Sequence, residues 1–378
     1  MSNRAQWQQA RNVLCVRLDS LGDVLMCTPA MRAIKEDRPR RLLTLLTSHG
    51  GAVAARYIPE LDGVMAYPAP WMKSSVAQGA SQHAGPDADM ITRLAARQFD
   101  AAVIFTSYSQ SAMPAALLCH LAGIPLRLAH CRENPYRLLS DWVPEPEPDR
   151  MVRHEVQRQL DLVASIGWQT ATTELSFKVP DPALAHVRRL LLARGIGAQG
   201  KFVLVHPGAS APSRRYPAHL WSQAIDGLAA RHHGAIVLTG EASEIPLVDE
   251  IREACAARVI SLAGQLDLGQ LGAAISLAAV VVSNNTGPAH MAAAIGTPLV
   301  ALYALTNPQH TPWQVEHRIL YHDVPCRFCY KSLCPEGHNA CLAKVEPARV
   351  VQAVCSLLDQ ASSQRPIHLH LPWTRPGT

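Results

Sequence analysis

The chain has 378 residues, of which 48% are hydrophobic and 17% charged, and its formal net charge is +5. This length allows two domains of ordinary size, and the composition excludes a disordered chain. The charge suits an anionic substrate or a membrane surface but is too small to indicate a nucleic-acid partner, so none is expected.

The cysteines and the N-terminal stretch indicate in which cellular compartment the protein is expected. The polar N-terminal stretch lacks the apolar core of a signal peptide, and no long apolar run indicates a membrane span. Six of the ten cysteines stand singly in apolar segments, which is typical of reduced thiols in a cytosolic protein. We therefore expect a cytoplasmic protein.

The first half alternates continuous apolar runs with helical segments, as parallel strands covered on both faces do. The predicted strands are 12–17, 42–47, 100–106 and 126–130. Irregular segments are predicted at 68–90 and 143–150, and an amphipathic helix is predicted over 153–167, ended by Gly167.

A second series of strands and helices follows. Its predicted strands are 202–206, 235–239, 259–263, 279–284 and 299–303. Two successive series predict an α/β fold with two doubly wound domains facing across a cleft. The predicted segments are a first domain over 1–180, a second over 181–345, a C-terminal helix over 346–362 and a tail over 363–378.

The turn after the first strand carries two carboxylates. In "VRLDSLGDVLMCTPAMRAIK" (16–35), Asp19 and Asp23 flank the start of a helix, and Gly22 allows a tight turn. Because acids would repel a phosphate, this turn is not expected to bind one. A carboxylate here can instead take a proton from an attacking hydroxyl. Asp19 is expected to be a solvated or capping residue, which leaves Asp23 as the candidate base.

A helix of the second series opens with a candidate anion site. In "SNNTGPAHMAAAIGTPLVALY" (283–303), the amides of Thr286 and Gly287 precede the helix, and His290 lies in its first turn. Such amides, together with the helix dipole, can bind a phosphate. An ordinary helix cap with a packing histidine is the alternative.

Two further turns follow strands of the same series. The loop "HPGASAPSRRYP" (206–217) combines small residues with the adjacent arginines Arg214 and Arg215, which suit a diphosphate. Glu241 and Glu244 follow the next strand and could accept hydrogen bonds from ribose hydroxyls. A solvated basic loop and acids that complement a helix dipole are the alternatives. Because all three turns follow strand ends, together they indicate a nucleotide diphosphate.

The segments 16–35, 206–217 and 283–303 resemble the three signature blocks of glycosyltransferase family 9, the ADP-heptose:lipopolysaccharide heptosyltransferases, in order and spacing over almost the whole chain. The resemblance implies a GT-B fold whose first Rossmann-like domain binds the acceptor and whose second binds the nucleotide sugar. It implies metal-independent, inverting transfer of a sugar to a lipopolysaccharide core or related glycan. Heptose from ADP-heptose is the first candidate for the transferred sugar. It also implies that the last helix crosses back onto the first domain.

The resemblance assigns roles to individual residues. It makes Asp23 the catalytic base and Arg214 the basic residue on the diphosphate. The donor-binding candidates are Ser210, Arg214, Glu244, Asn285, Thr286, Gly287 and His290, with Glu241 as second choice to Glu244. Asn285 replaces an aspartate that is frequent in the family. Because an amide is neither a charged base nor a magnesium anchor, a structural or hydrogen-bonding role is favoured for it.

Basic residues of the first domain are the acceptor-binding candidates. Arg127, Arg132 and Arg137 surround a strand end and could meet acidic sugars or phosphates. A solvated surface is the alternative. His154 either caps a helix or reaches the cleft. Peripheral contact with the inner face of the cytoplasmic membrane is left open.

The other four cysteines form the segment "CRFCYKSLCPEGHNAC". They are Cys326, Cys329, Cys334 and Cys341, and His338 lies among them. Their C-x2-C-x4-C-x6-C spacing can reach a structural zinc or iron. A loop of reduced thiols is the alternative, and no required cofactor or catalytic role is assigned.

Other functions are kept open. One is a GT-B-fold epimerase, which would consume the nucleotide sugar without an acceptor. Another is a family member with a different donor or a protein acceptor. A non-catalytic binding protein is disfavoured by the presence of Asp23 and Arg214.

Overall fold

The computed structural model describes residues 3–72, 85–198, 200–232 and 234–363. The chain divides into two compact units, Met1–Ser176 and Phe177–Thr378. This division falls within a few residues of the predicted boundary at 180. The predicted tail, apart from its first residue, lies outside the described residues.

The first unit is built on one parallel sheet of six strands. Its strands are β1 (Asn12–Arg17), β2 (Leu42–Thr47), β3 (Gly63–Ala66), β4 (Ala101–Ile104), β5 (Leu126–Cys131) and β6 (Asp141–Pro144). Its helices are α1 (Asn3–Gln9), α2 (Leu21–Met26), α3 (Thr28–Asp37), α4 (His49–Ala55), α5 (Gly85–Ala96), α6 (Met113–Leu121) and α7 (Glu155–Ala164). The strand order is β3-β2-β1-β4-β5-β6.

The second unit repeats this plan. Its strands are β7 (Phe202–His206), β8 (Ala235–Leu238), β9 (Ile260–Ser261), β10 (Val280–Asn284), β11 (Leu299–Leu302) and β12 (His317–Leu320). Its helices are α8 (Asp181–Leu192), α9 (Ala218–Ala229), α10 (Ile245–Ala254), α11 (Leu268–Leu277), α12 (Gly287–Ile295), α13 (Ala340–Ala343) and α14 (Pro347–Ser363). The strand order is β12-β11-β10-β7-β8-β9, again all parallel.

Both sheets therefore reverse their winding once, between β1 and β4 in the first unit and between β7 and β10 in the second. In an open parallel sheet, ligands bind outside the carboxyl ends of the strands at such a switch point. The four strands that flank the two switch points are apolar runs whose side chains are almost all buried. They form because an apolar run gains most from burial on both faces.

Each unit has its own apolar core. In the second unit, α14 packs along α9 and onto β10, β11 and β12, and Trp221 of α9 is buried against the ring of Tyr216. The predicted crossing of the last helix onto the first domain stays a prediction.

Some local predictions differ from the structure. The short strands β3, β6 and β12 were not predicted. The segment 68–90 was predicted to be irregular, but α5 begins at Gly85, and residues 73–84 lie outside the described part of the chain. The helix predicted over 153–167 is confirmed as α7, and Gly167 follows it with φ +94°. None of the described helices is both long and apolar enough to cross a membrane.

Candidate active site

The turn after β1 lies at the switch point of the first sheet and is organised by a buried arginine. The side chain of Arg17 is fully buried, a place where a charge requires partners. Its Nε lies 2.8 Å from Asp19 Oδ2, and its Nη2 lies 3.1 Å from Asp23 Oδ1. Its Nη1 donates to Glu155 Oε1 at 2.7 Å. One cation therefore meets three carboxylates.

Asp19 and Asp23 differ in their other contacts. Asp19 Oδ1 accepts a hydrogen bond from Gln110 Nε2 at 2.7 Å, whereas Asp23 Oδ2 accepts a long one, 3.3 Å, from Ser20 Oγ. Burial raises the pKa of Asp19 to about 6; the Arg17 charge opposes this rise and the Asp23 charge adds to it. The two side chains keep 17% and 20% of their surface exposed, so a hydroxyl can reach either.

The turn is held by the loops after the neighbouring strands. Ser48, which follows β2 and caps α4, donates from Oγ to the Asp19 carbonyl at 2.6 Å. Gln110 follows β4, and its amide is oriented because Oε1 accepts from Ser107 N at 2.9 Å while Nε2 donates to Asp19. The carboxylates are therefore fixed from both sides of β1.

Glu155 comes from a distant part of the sequence. It is the first residue of α7 and is fully buried. Gln159 Nε2, one helical turn later, donates to its Oε1 at 2.8 Å and to the Thr106 carbonyl at 3.0 Å. A carboxylate in the first turn of a helix is also favoured by the helix dipole.

The predicted acceptor residues of the first unit have mostly structural contacts. Arg127 is 8% exposed and donates to backbone carbonyls of the β5–β6 region, including Leu138 O at 2.7 Å. Arg132 is exposed and donates to Tyr108 O at 2.6 Å. His154 caps α7, since its Nδ1 accepts from Val156 N at 3.2 Å. Contact with an acceptor stays a prediction for all three.

The switch point of the second sheet carries the start of α12. Thr286 is the N-cap residue, but its hydroxyl donates to the Asn284 carbonyl at 3.4 Å and does not cap the helix. The amides that open the helix at Gly287 are therefore not satisfied by their own cap. His290 is 6% exposed in this helix, with its ring 6.5 Å from that of His310.

Two asparagines join this helix to its surroundings. Asn285 Oδ1 accepts from Ala304 N at 3.2 Å, and its Nδ2 is buried with no hydrogen-bond partner in the described part of the chain. Asn284 Nδ2 donates to Pro207 O at 2.7 Å, and its Oδ1 accepts from Tyr216 N at 3.2 Å. The end of β10 is thus tied to both ends of the loop after β7.

That loop presents its two arginines differently. Arg215 Nε donates to Ala209 O at 2.8 Å. The partly exposed guanidinium of Arg214 makes no hydrogen bond or ion pair with any residue that the structure describes. Ser213 anchors the loop, with its Oγ donating to Lys331 O at 2.8 Å, and Ser210 is exposed at the other end. Arg214 is therefore available to an anion on a loop that is itself fixed.

Glu244 lies over the start of the same loop. Its Oε2 accepts from Glu241 N at 2.9 Å in a reciprocal capping box and lies 3.5 Å from His206 Nε2. Burial alone would raise the pKa of Glu244, but His206, the Glu241 amide and the charge of Arg215 together lower it. Glu244 is therefore anionic at neutral pH and can accept hydrogen bonds.

The four clustered cysteines lie beside the loop of Arg214. Burial raises the pKa of Cys341, and the charges of Cys334, Cys326 and Cys329 add to the rise, so the four thiols are neighbours. Cys334 Sγ accepts from Asn339 N at 3.4 Å. Within the described ranges, no three His, Cys, Asp or Glu side chains are arranged to hold a metal ion.

Sequence reasoning missed Arg17, Glu155, Gln110 and His206. A charged residue at the end of an otherwise apolar strand was a usable signal for Arg17 and His206, because a buried charge or imidazole needs a partner. Glu155 and Gln110 carried no such signal, because their partners, Arg17 and Asp19 respectively, are distant in sequence and reach them only through the fold.

Comparison with known proteins identifies relatives of the chain. Residues 88–340, more than half of the chain, match the family model of glycosyltransferase family 9 (heptosyltransferase). The matched residues do not include the turn of Asp23. Lipopolysaccharide heptosyltransferase 2 of Salmonella typhimurium is 25% identical over 365 residues, which cover 92% of this chain and 99% of that protein.

Solved structures share the fold. The structure of Escherichia coli ADP-heptose LPS heptosyltransferase II aligns with a TM-score of 0.70 and 21% identity, covering 93% of this chain and 99% of that one. E. coli heptosyltransferase WaaC with ADP-2-deoxy-2-fluoro heptose aligns with a TM-score of 0.64 and 18% identity, covering 92% and 99%. The predicted fold class, GT-B with two Rossmann-like domains, is confirmed.

A more distant structure contains iron. The iron-containing dodecameric heptosyltransferase TibC from E. coli, in complex with ADP-D-β-D-heptose, aligns with a TM-score of 0.52 and 11% identity. It covers 93% of this chain and 77% of TibC. At this identity the likeness concerns the fold alone.

Proposed function

Because the chain belongs to glycosyltransferase family 9, the heptosyltransferases, we propose that it transfers heptose from ADP-heptose to a lipopolysaccharide core or a related glycan. The names of its relatives support this donor and this acceptor class. The observation that carries the mechanism is the carboxylate turn at the first switch point, where Asp23 is held by the buried Arg17 and remains partly exposed.

In this mechanism Asp23 is the general base. It takes the proton of the acceptor hydroxyl as that oxygen attacks C1 of heptose and the C1–oxygen bond to ADP breaks, so the configuration at C1 inverts. One proton moves to Asp23 and one electron pair leaves with the diphosphate. Only one carboxylate is needed, because the attacking hydroxyl and the leaving group lie on opposite faces of the sugar.

The second unit supplies the donor site. Negative charge grows on the leaving diphosphate. In this proposal it is stabilised by the amides at Thr286 and Gly287 and by the guanidinium of Arg214, which has no partner among the described residues. His290 adds a donor in the same helix, Asn285 Nδ2 is a buried donor beside it, and Ser210 lines the loop. The anionic Glu244 accepts from the ribose hydroxyls.

No step of this reaction passes through a metal, since Arg214 and the helix amides offer the positive charge. A structural zinc or iron at the cysteines stays a hypothesis that elemental analysis of the purified protein tests. Arg127, Arg132 and His154 are kept as acceptor contacts. The reaction would take place in the cytoplasm, where ADP-heptose and the inner membrane face would be accessible.

The test is a pair of matched substitutions. Asp23→Asn is expected to keep ADP binding and to reduce transfer by a factor on the order of 10²–10⁴, as loss of a general base does. Asp19→Asn, the neighbouring acid on the same arginine, should retain far more activity. Transfer from ADP-heptose is followed by mass spectrometry. If Asp19→Asn is the inactive variant and Asp23→Asn is not, the base is misassigned.

Donor consumption without acceptor would indicate an epimerase instead.

A further inference from the structure

The buried ion pair between Arg17 and Glu155 has no part in the substrate contacts proposed above, yet its arginine contacts the proposed base. Arg17 Nη1 donates to Glu155 Oε1 at 2.7 Å, and the other terminal nitrogen lies 3.1 Å from Asp23. Both side chains of the pair are fully buried. Keeping two charges inside a protein is costly, so stability alone is a weak reason for this arrangement.

The guanidinium of Arg17 by itself would make Asp23 a weaker base. A positive charge at 3.1 Å favours the ionised form of Asp23 and lowers its affinity for a proton. An anion on the far side of the guanidinium offsets this effect. Glu155 has that place, and α7 and Gln159 hold it there, so its charge stays on Arg17.

The other groups around Arg17 do not replace Glu155. Among the residues that the structure describes, the titratable groups found to face it are Asp19, Asp23, Glu155 and Cys27. Burial raises the pKa of the Cys27 thiol well above its ordinary value, so it is neutral. Asp19 lies in the same turn as the base, and its negative charge repels that of the ionised Asp23. Gln110 contacts Asp19 and Ser20 contacts Asp23, but both side chains are uncharged.

We propose that Glu155 is a positioning residue of the transfer reaction: by neutralising the buried Arg17, it lets that arginine orient Asp23 without lowering its basicity. The proposal rests on the assignment of Asp23 as the base. Arg17 then orients Asp23 through its planar guanidinium, and Glu155 determines how strongly the positive charge of Arg17 acts on Asp23.

The experiment is the pH profile of kcat/KM for heptosyl transfer, which reports the pKa of the essential base in the free enzyme. Glu155→Gln keeps an oxygen that can accept from Arg17 but removes the charge. The acidic limb should move to lower pH by about one unit, and the plateau should fall several-fold because a weaker base accepts the proton. Asp161→Asn, on the same helix but paired with Arg153, is the matched control and should leave the profile unchanged.

A second variant keeps the proposal testable if Glu155→Gln does not fold. Arg17→Gln combined with Glu155→Gln removes both fully buried charges and leaves only the partly exposed Asp19 and Asp23. Its acidic limb should move to higher pH, because Asp23 loses the nearer cation. Opposite displacements of the two limbs support the proposal. An acidic limb that stays in place in either folded variant overturns it. That result would leave the base assignment intact, because only the loss of transfer in Asp23→Asn tests that assignment.

Discussion

Asp19 makes the stability of the first unit depend on pH. Its pKa is about 6 in the folded chain, compared with about 3.9 for an aspartate in an unfolded chain. Between these values the folded state holds a proton that the unfolded state has released, so the free energy of unfolding falls as pH rises through this window. The contribution is complete below about pH 4 and lost above about pH 6.

Asp19→Asn removes this dependence. The variant should unfold at higher urea concentration than the wild type at pH 7.5, with a free energy of unfolding about 1–3 kcal/mol larger. At pH 4 the two proteins should be nearly equal. Asp249→Asn changes an aspartate with a 40% exposed side chain and serves as the control. A variant that is less stable than wild type at pH 7.5 would contradict the raised pKa.

Single residues also show how much of the candidate site can be predicted from the sequence. Asp23 and Arg214 could be predicted as candidates because each follows a predicted strand in a motif of small residues and matches a signature block of the family that the sequence resembles. Their environment could not, because Arg17 pairs with Glu155 across 138 positions and His206 meets Glu244 only when β7 and β8 lie side by side. Such partners are set by tertiary structure.

Among the elements, the strands at the centre of each sheet were predictable, whereas three of the four edge strands were not; the fourth, β9, lies within the predicted strand 259–263. β1, β2 and β7 have the predicted bounds because they are continuous apolar runs buried on both faces. The edge strands β3 and β6 alternate between more and less exposed side chains, and β12 is mostly half-buried. A search for continuous apolar runs misses them, since an edge strand is covered less completely.

The close approach of the β7 loop to the segment after β8 gives an element-scale prediction. A Cβ on Gly208 would lie 1.9 Å from Glu244 Oε1, so Gly208→Ala must displace that carboxylate from Glu241 N and His206. Because only the end of a flexible side chain has to move, the fold should be retained while ADP affinity falls by about 1.5–3 kcal/mol, as expected for a lost hydrogen bond to a charged group.

Calorimetry with ADP and thermal unfolding measure the two effects separately. Gly197→Ala is the matched control in the same unit, since a Cβ there meets nothing within 4 Å. Unchanged ADP affinity in Gly208→Ala would show that Glu244 does not contact the nucleotide.

At the scale of the whole molecule, the two units share one topology but present different chemical groups. Both sheets have the order 3-2-1-4-5-6 when their strands are numbered within each unit. The first switch point presents carboxylates and the second presents an arginine and a helix N-terminus. The same physical position thus takes opposite charge in the two units, which is the pattern required if one activates a hydroxyl and the other binds a diphosphate.

This division of labour predicts which substitutions affect nucleotide binding. Arg214→Ala should weaken ADP binding by roughly 1.5–3 kcal/mol, the value of a hydrogen bond to a charged group, because its guanidinium has no competing partner among the described residues. Arg215→Ala should cost less, since that side chain is bound to Ala209 O. Asp23→Ala should leave ADP binding almost unchanged while abolishing transfer. Titration of ADP into the three full-length variants tests this. If Asp23→Ala loses ADP and Arg214→Ala retains it, the donor belongs to the first unit and the proposed mechanism is wrong.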